Sequence, residues 1–343
     1  MLHFCRYNII YLFVKDTYIY IGGEGIFMDY QTMQRFESLI RTKQLSQNER
    51  EEHRLKLFSF LLPALIECEK KFSFLQLANP ITLEERATDI TKALMAADED
   101  SQLIDCIMQL KETAPQLFSH SVEVCYISMF IMEQEKKLIT ASVRQLKLYY
   151  KDVLHLGIAG ILHDIGKFNP NNNTIIERKE TMTALEKQQY RGHVINSNGL
   201  LKKKKLEPSI AQGILQHHET CDGHGFPLNL HDSNISETGK MLAIADFYAH
   251  WMEQSDLPDR TDPFAVAYIL NAKSNLYDIN LIKKFCTGFL TNLVGKKVLL
   301  SDQTEAIFLS LNEKHPRKSQ VEIQGKQYNL EKETTLEIMK VIS

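Results

Sequence analysis

The chain has almost no net charge: 40 lysines and arginines stand against 43 aspartates and glutamates, leaving -3. That balance excludes a chain-wide basic field, so DNA is not an expected partner and any phosphate must be held by a local site. Long apolar runs are also lacking. The longest near the N-terminus, Ile9 to Val14, stops at Lys15 and Asp16. It is too short for a bilayer and has no signal-cleavage pattern, so no membrane span and a cytoplasmic location are expected. No C-x-x-C pair occurs among Cys5, Cys68, Cys106, Cys125, Cys221 and Cys286. Their scatter excludes a disulfide framework and points to thiols in a reducing compartment. Repeats and low-complexity tracts are missing, and the one charge run, Lys202 to Lys205, reads as a solvated helix face. What remains is ordinary globular composition, 44% hydrophobic and 24% charged, enough for a large core.

A length of 343 residues favours two domains, or one with an extension. Residues 7 to 22 alternate aromatic and β-branched side chains around Lys15-Asp16, which suggests a short N-terminal β-hairpin. Met28 follows a glycine-rich stretch, so the first 27 residues read either as an edge hairpin or as a segment ahead of an alternative start. Residues 30 to 112 have helical spacing, punctuated by Pro63, Pro80 and the acidic cluster at residues 98 to 100, with one or two helices from Thr82 to Lys111. A boundary near residue 105 separates a mostly helical leading unit, 1–105, with a sensory or dimerising role, from a second unit, 106–343. Amphipathic helices fill Leu117 to Tyr248, Phe264 to Ala272 and Leu281 to Leu293. Three alternating segments in residues 296 to 329 predict a small β appendage. The expected fold is therefore mainly α: a helical bundle with a helical N-terminal extension and a small C-terminal β appendage.

Chemistry concentrates in the bundle. Leu162-His163-Asp164-Ile165-Gly166-Lys167 ends an apolar helix that begins near Val153 and contains Gly157 and Gly160. A carboxylate on so apolar a helix is tolerated best when a cation or hydrogen bonds neutralise it. Gly166 is a natural helix terminator and would leave His163 and Asp164 at the mouth of the bundle. His120, His193, His217-His218 and Asp246 supply further ligand types, each on a predicted helix. Taken singly, His120 is a hydrogen-bonded histidine, Asp246 an internal cap and His217-His218 a helix end favoured by its dipole. Taken together within about 130 residues, they are the donors that a helical bundle projects into one dimetal centre. Imidazole plus carboxylate without thiolate suits iron, manganese or zinc.

In this order, His120, His163-Asp164 with Gly166-Lys167, His193, His217-His218-Glu219, Asp222-Gly223-His224-Gly225-Phe226-Pro227 and Asp246, the chain resembles the HD superfamily of metal-dependent phosphohydrolases, in its HD-GYP branch. The resemblance covers about residues 110 to 330. Three departures stand out. The eponymous Gly-Tyr-Pro is Gly225-Phe226-Pro227, which keeps an aromatic face and loses a hydroxyl. Gln116 stands one turn before His120, where members with a third metal carry Glu, so two ions are expected. The arginine that follows the last Asp in the family is matched only by the later Arg260.

The resemblance implies a bacterial signalling phosphodiesterase that opens cyclic di-GMP to a linear dinucleotide, and onward to GMP. It would use a hydroxide shared by two ions about 3.5 to 4 Å apart. Asp164 would bridge the ions, with His120, His163 and Asp246 on one and His193, His217 and His218 on the other, iron being the first expectation. Lys167 would meet the phosphate, Glu219 would orient a histidine or move a proton, and Gly225, Phe226, Pro227 and Arg260 would bind the nucleotide. His224 and Cys221 read as loop residues. Two alternatives stay open: a binding module of this fold without turnover, and a hydrolase of another cyclic dinucleotide or nucleotide phosphoester. A homodimer is also expected.

Overall fold

In a computed structural model, residues 49–77, 81–98, 102–135, 143–177, 179, 181–202, 204–253, 262–333 and 335–342 are described, together with the backbone pairing of four short strands between residues 3 and 27. Those strands are β1 (His3–Phe4), β2 (Ile10–Tyr11), β3 (Tyr18–Ile21) and β4 (Glu24–Phe27). β1 pairs with β2 and β3 with β4, both antiparallel. Two antiparallel strand pairs are thus present near the N-terminus; Lys15 and Asp16, around which the hairpin was expected, lie outside the described residues.

Ten helices follow among the described residues: α1 (Glu49–Lys71), α2 (Leu83–Ala97), α3 (Gln102–Thr113), α4 (Pro115–Glu135), α5 (Val143–Leu162), α6 (Ala184–Leu201), α7 (Pro208–Gln216), α8 (Glu237–Glu253), α9 (Pro263–Ala272) and α10 (Ile279–Thr291). α4 is apolar on nearly every side, with Val122, Val124, Cys125, Tyr126, Ile127 and Phe130 all buried, and a helix of that kind sits at the centre. It packs against α5, α8, α1 and α10. The α4–α5 approach is close enough that a Cβ on Gly160 would lie 2.6 Å from the Cys125 backbone.

From residue 49 onward the described part of the N-terminal third is mainly helical as expected, whereas residues 30–48 lie outside the described residues; Pro63 does not punctuate the helices, because α1 runs through that residue. Leu57, Leu61, Leu62 and Leu65 are buried on either side, and their burial outweighs the one hydrogen bond that proline cannot make. α1 to α3 share one hydrophobic cluster with the bundle. α5 begins ten residues before its expected start near Val153. Within the lysine run, Lys204 is no solvated residue: its Nζ lies 2.7 Å from Oδ1 of Asp98, whose carboxylate is fully buried.

Between α5 and α6, β5 (Phe168–Asn169) pairs antiparallel with β6 (Thr174–Ile175), and the C-terminal appendage is a five-stranded antiparallel sheet in the order β10-β9-β8-β7-β11, formed by β7 (Lys297–Leu300), β8 (Glu305–Ser310), β9 (Gln320–Ile323), β10 (Lys326–Asn329) and β11 (Ile338–Ile342). Two details depart from expectation. The third segment folds back on itself at Gln324-Gly325, both at positive φ, the conformation of a tight hairpin turn. β11, which was not foreseen, pairs with β7. Among the described residues no helix is long and apolar enough to cross a membrane.

Candidate metal centre

The expected ligands reach the same point by two different devices. His120 (α4), His193 (α6) and Asp246 (α8) lie within helices, whereas His163-Asp164 and His217-His218 occupy the turns just after α5 and α7. This corrects the expectation that every ligand lies on a helix. Adjacent helical residues do not face one another, and leaving the helix lets both members of each pair face one centre. The turn after α5 is pressed by α6. The Gly166 amide donates to Oγ of Ser197, which donates to the His163 carbonyl, both at 2.9 Å. A Cβ on Gly166 would come within 2.3 Å of the His193 carbonyl oxygen, so that glycine permits the close contact with α6; it does not end α5, which stops four residues earlier at Leu162.

The imidazoles share one orienting pattern. Nδ1 of His163 donates to the Gly160 carbonyl, Nδ1 of His193 to Tyr190 and Nδ1 of His217 to Ile214, each three residues back. A carbonyl only accepts, so in each ring Nδ1 carries a proton and Nε2 is the nitrogen turned to the centre. These Nε2 atoms turn toward Asp164: that of His193 lies 3.0 Å from Oδ1, that of His217 3.8 Å from Oδ1, and that of His163 3.3 Å from Oδ2. His120 Nε2 lies 3.0 Å from Asp246 Oδ1 and 3.8 Å from Asp164 Oδ2. Two four-residue groups result, Asp164-His193-His217-His218 and His120-His163-Asp164-Asp246, each with ligand atoms within 4.8 Å of one another and with Asp164 in common.

The chemistry of this donor set fits metal ions. Nε2 of His163, His193, His217 and His218 and Oδ1 of Asp164 are buried without a hydrogen-bond partner; the 3.0 Å approach of His193 to Asp164 lacks hydrogen-bond alignment. Five such atoms at one point would cost several kcal/mol unless a cation took their lone pairs. Protonation states agree. Burial, then the neighbouring His163, pushes the His217 imidazole down to about 3, and burial and His217 push His218 down as well. Burial works to raise both carboxylates, yet His163 and Lys167 hold Asp164 low, and His250, His120 and His163 hold Asp246 low. Neutral imidazoles and ionised carboxylates are the cation-binding forms. His163 differs: burial works to lower it, but Asp164 and Asp246 outweigh burial and raise it to about 10, so the carboxylates call for positive charge there.

Lys167 is buried, ion-paired to Asp164, and lies 5.2 Å from the Tyr190 ring centroid. A cavity of about 1300 Å³ opens on this side, with His120, Asp164, Lys167, Phe247, His250 and Trp251 in its walls. Gly225, Phe226 and Pro227 are not among its lining residues. Phe226 instead lies against His218, ring centroids 4.6 Å apart, with the Arg191 guanidinium 5.3 Å from its centroid. Glu219 is buried, and its two oxygens accept the amides of Leu228 and Leu230 at 2.6 and 2.8 Å, which braces the loop after the histidine pair. His224 is exposed in that loop, and Arg260 lies outside the described residues. Two residues escaped the sequence reading. His250 Nδ1 lies 3.0 Å from Asp246 Oδ1, and Glu253 Oε1 lies 2.8 Å from His120 Nδ1. Asp246, His250 and Glu253 fall at i, i+4 and i+7 of α8, a one-face spacing that was legible in the sequence.

A family model described as HD domain matches residues 106–281. A cyclic di-GMP phosphodiesterase of Pseudomonas aeruginosa is 32% identical over 143 residues, 41% of this chain and 32% of that protein. A 3'3'-cGAMP-specific phosphodiesterase of Vibrio cholerae is 25% identical over 175 residues, 48% of this chain and 35% of that one. A cyclic di-GMP phosphodiesterase of Borreliella burgdorferi is 26% identical over 169 residues, 49% of this chain and 44% of that one. The matched stretch therefore spans less than half the length of each relative.

Proposed function

The chain belongs to the HD-domain family, and on that premise we propose that it is a phosphodiesterase of cyclic dinucleotides, cyclic di-GMP foremost, acting in the cytoplasm at a centre of two divalent metal ions. His120, His163, Asp164 and Asp246 would hold one ion and His193, His217, His218 and Asp164 the other, with iron expected ahead of manganese or zinc. The observation that carries this reading is the convergence of five unpartnered buried donor atoms around Asp164. Bound there, two such ions supply Lewis acidity: hydroxide becomes available at neutral pH and charge on phosphoryl oxygens is neutralised.

The chain's own residues complete the site. The backbone carbonyls behind His163, His193 and His217 fix each ring with Nε2 inward, so little reorganisation is needed when substrate arrives. Lys167 presents an ammonium at the cavity wall, where it can pair with a substrate phosphate as charge develops. Phe247 and Trp251 line the same cavity, where aromatic rings can receive a base. Phe226, flanked by Gly225 and Pro227, backs His218, and Glu219 shapes the loop that carries it. A sensory or dimerising role is proposed for the leading residues 1–105, although the expected boundary falls inside α3 and α1 to α3 share their core with the bundle.

The test is to load the protein with iron, manganese or zinc, incubate it with cyclic di-GMP and 3'3'-cGAMP, and resolve products by chromatography. Appearance of the linear dinucleotide or of mononucleotides is expected. A folded protein holding two ions that turns over neither substrate would sink the reading. Tight binding without cleavage would identify a signalling module instead, which the engagement of Phe226 by His218 and Arg191 would suit.

A further inference from the structure

Three of the inward-facing histidines are oriented by carbonyls of their own helices, but His120 is not. Its Nδ1 lies 2.8 Å from Oε1 of Glu253, 133 positions further along the chain and one helix away. We infer that Glu253 is a positioning residue: its carboxylate accepts the Nδ1 proton of His120, fixing the ring's tautomer and tilt so that Nε2 faces the cation shared with His163, Asp164 and Asp246. The inference rests on the two-metal reading above and assigns to this chain the orienting contact that its own helix does not give His120.

The geometry selects this role over a further cation site. His120, His250 and Glu253 do form a third cluster of ligand types. Its contacts are already made, however: Glu253 is bonded to Nδ1 of His120, and His250 lies 3.0 Å from Oδ1 of Asp246. None of the unpartnered buried donor atoms belongs to these three residues. An imidazole whose Nε2 serves one cation keeps its Nδ1 proton for a carboxylate, and such carboxylates raise the basicity of the ligand nitrogen. Glu253 ends α8 with 39% of its side chain exposed, so it can be altered without opening the core.

Metal-free protein is titrated with Co²⁺ alone, following visible absorption and competition with a chromophoric chelator, for the wild type, Glu253→Ala and Glu253→Gln. Two ions are expected in the wild type. Glu253→Ala should weaken one of them by roughly 10- to 100-fold, leave the other unchanged and alter the absorption of the weakened site. Glu253→Gln, whose amide oxygen still accepts the proton, should lose less and recover most of the wild-type spectrum. Unchanged affinities and spectra in both variants would overturn the inference while leaving the two-metal reading intact. So would equal weakening of both ions, loss of a third ion, or a fall in metal-free thermal stability that tracks the loss of binding. A wild type that binds no Co²⁺ would overturn the two-metal reading and this inference with it.

Discussion

Asp164 belongs to both candidate groups, lies within 3.8 Å of four imidazoles and pairs with Lys167, so its charge acts on both halves of the centre. Replacing it with asparagine keeps the shape and removes the charge. Metal content of Asp164→Asn should fall from about two ions per chain to well under one, read by elemental mass spectrometry. His193→Ala should lose one ion and keep most of the other, because His193 belongs to a single group. Loss of one ion in both variants would mean that Asp164 does not bridge. At this scale the sequence was most legible where unlike residues stand side by side. An adjacent His-Asp, a His-His and a lone Asp in apolar stretches each break the local pattern. Glu253 breaks no pattern, since a glutamate near a helix end is ordinary, and only folding reveals that it touches His120.

The elements deliver the ligands by ending at chosen places. α5 and α7 stop so that their terminal pairs turn inward, while α2 and α6 begin at capping boxes, Thr82 with Glu85 and Thr183 with Glu186. Thr82→Ala should cost about 1 kcal/mol by chemical denaturation, with metal content unchanged. The second box carries a pH signature. The Lys179 ammonium and the amide and hydroxyl of Thr183 hold the Glu186 carboxyl down at about 2. A depressed carboxylate contributes its stabilisation fully above the ordinary carboxylate range and loses it as pH falls toward 2. Glu186→Gln should therefore melt slightly below the wild type at neutral pH and converge with it near pH 2; a constant gap across that range would contradict the assignment. Helical periodicity was readable in the sequence, whereas exact ends were not. Pro63 is overridden by the leucines around it, and β11 is a short run whose partner lies some forty residues back along the chain.

Across the whole molecule, packing joins the leading helices to the bundle through a buried ion pair. Arg86 on α2 lies 2.7 Å from Glu133 on α4, and both side chains are almost entirely buried. Removing one charge takes from the other its buried counter-charge at 2.7 Å, so Glu133→Gln should destabilise the protein by about 3 kcal/mol, measured by denaturant unfolding. A change below about 1 kcal/mol would show that the pair is not what anchors α2. By itself the sequence determined the helical class, the appendage and the order of the candidate donor residues, because periodicity and rare residue types are local properties. Only the tertiary structure decided that the cavity opens beside Lys167 and Trp251 and not beside Phe226, and that Glu253 meets His120. Those facts depend on how distant helices cross, and helix crossing is set by packing summed over the whole core.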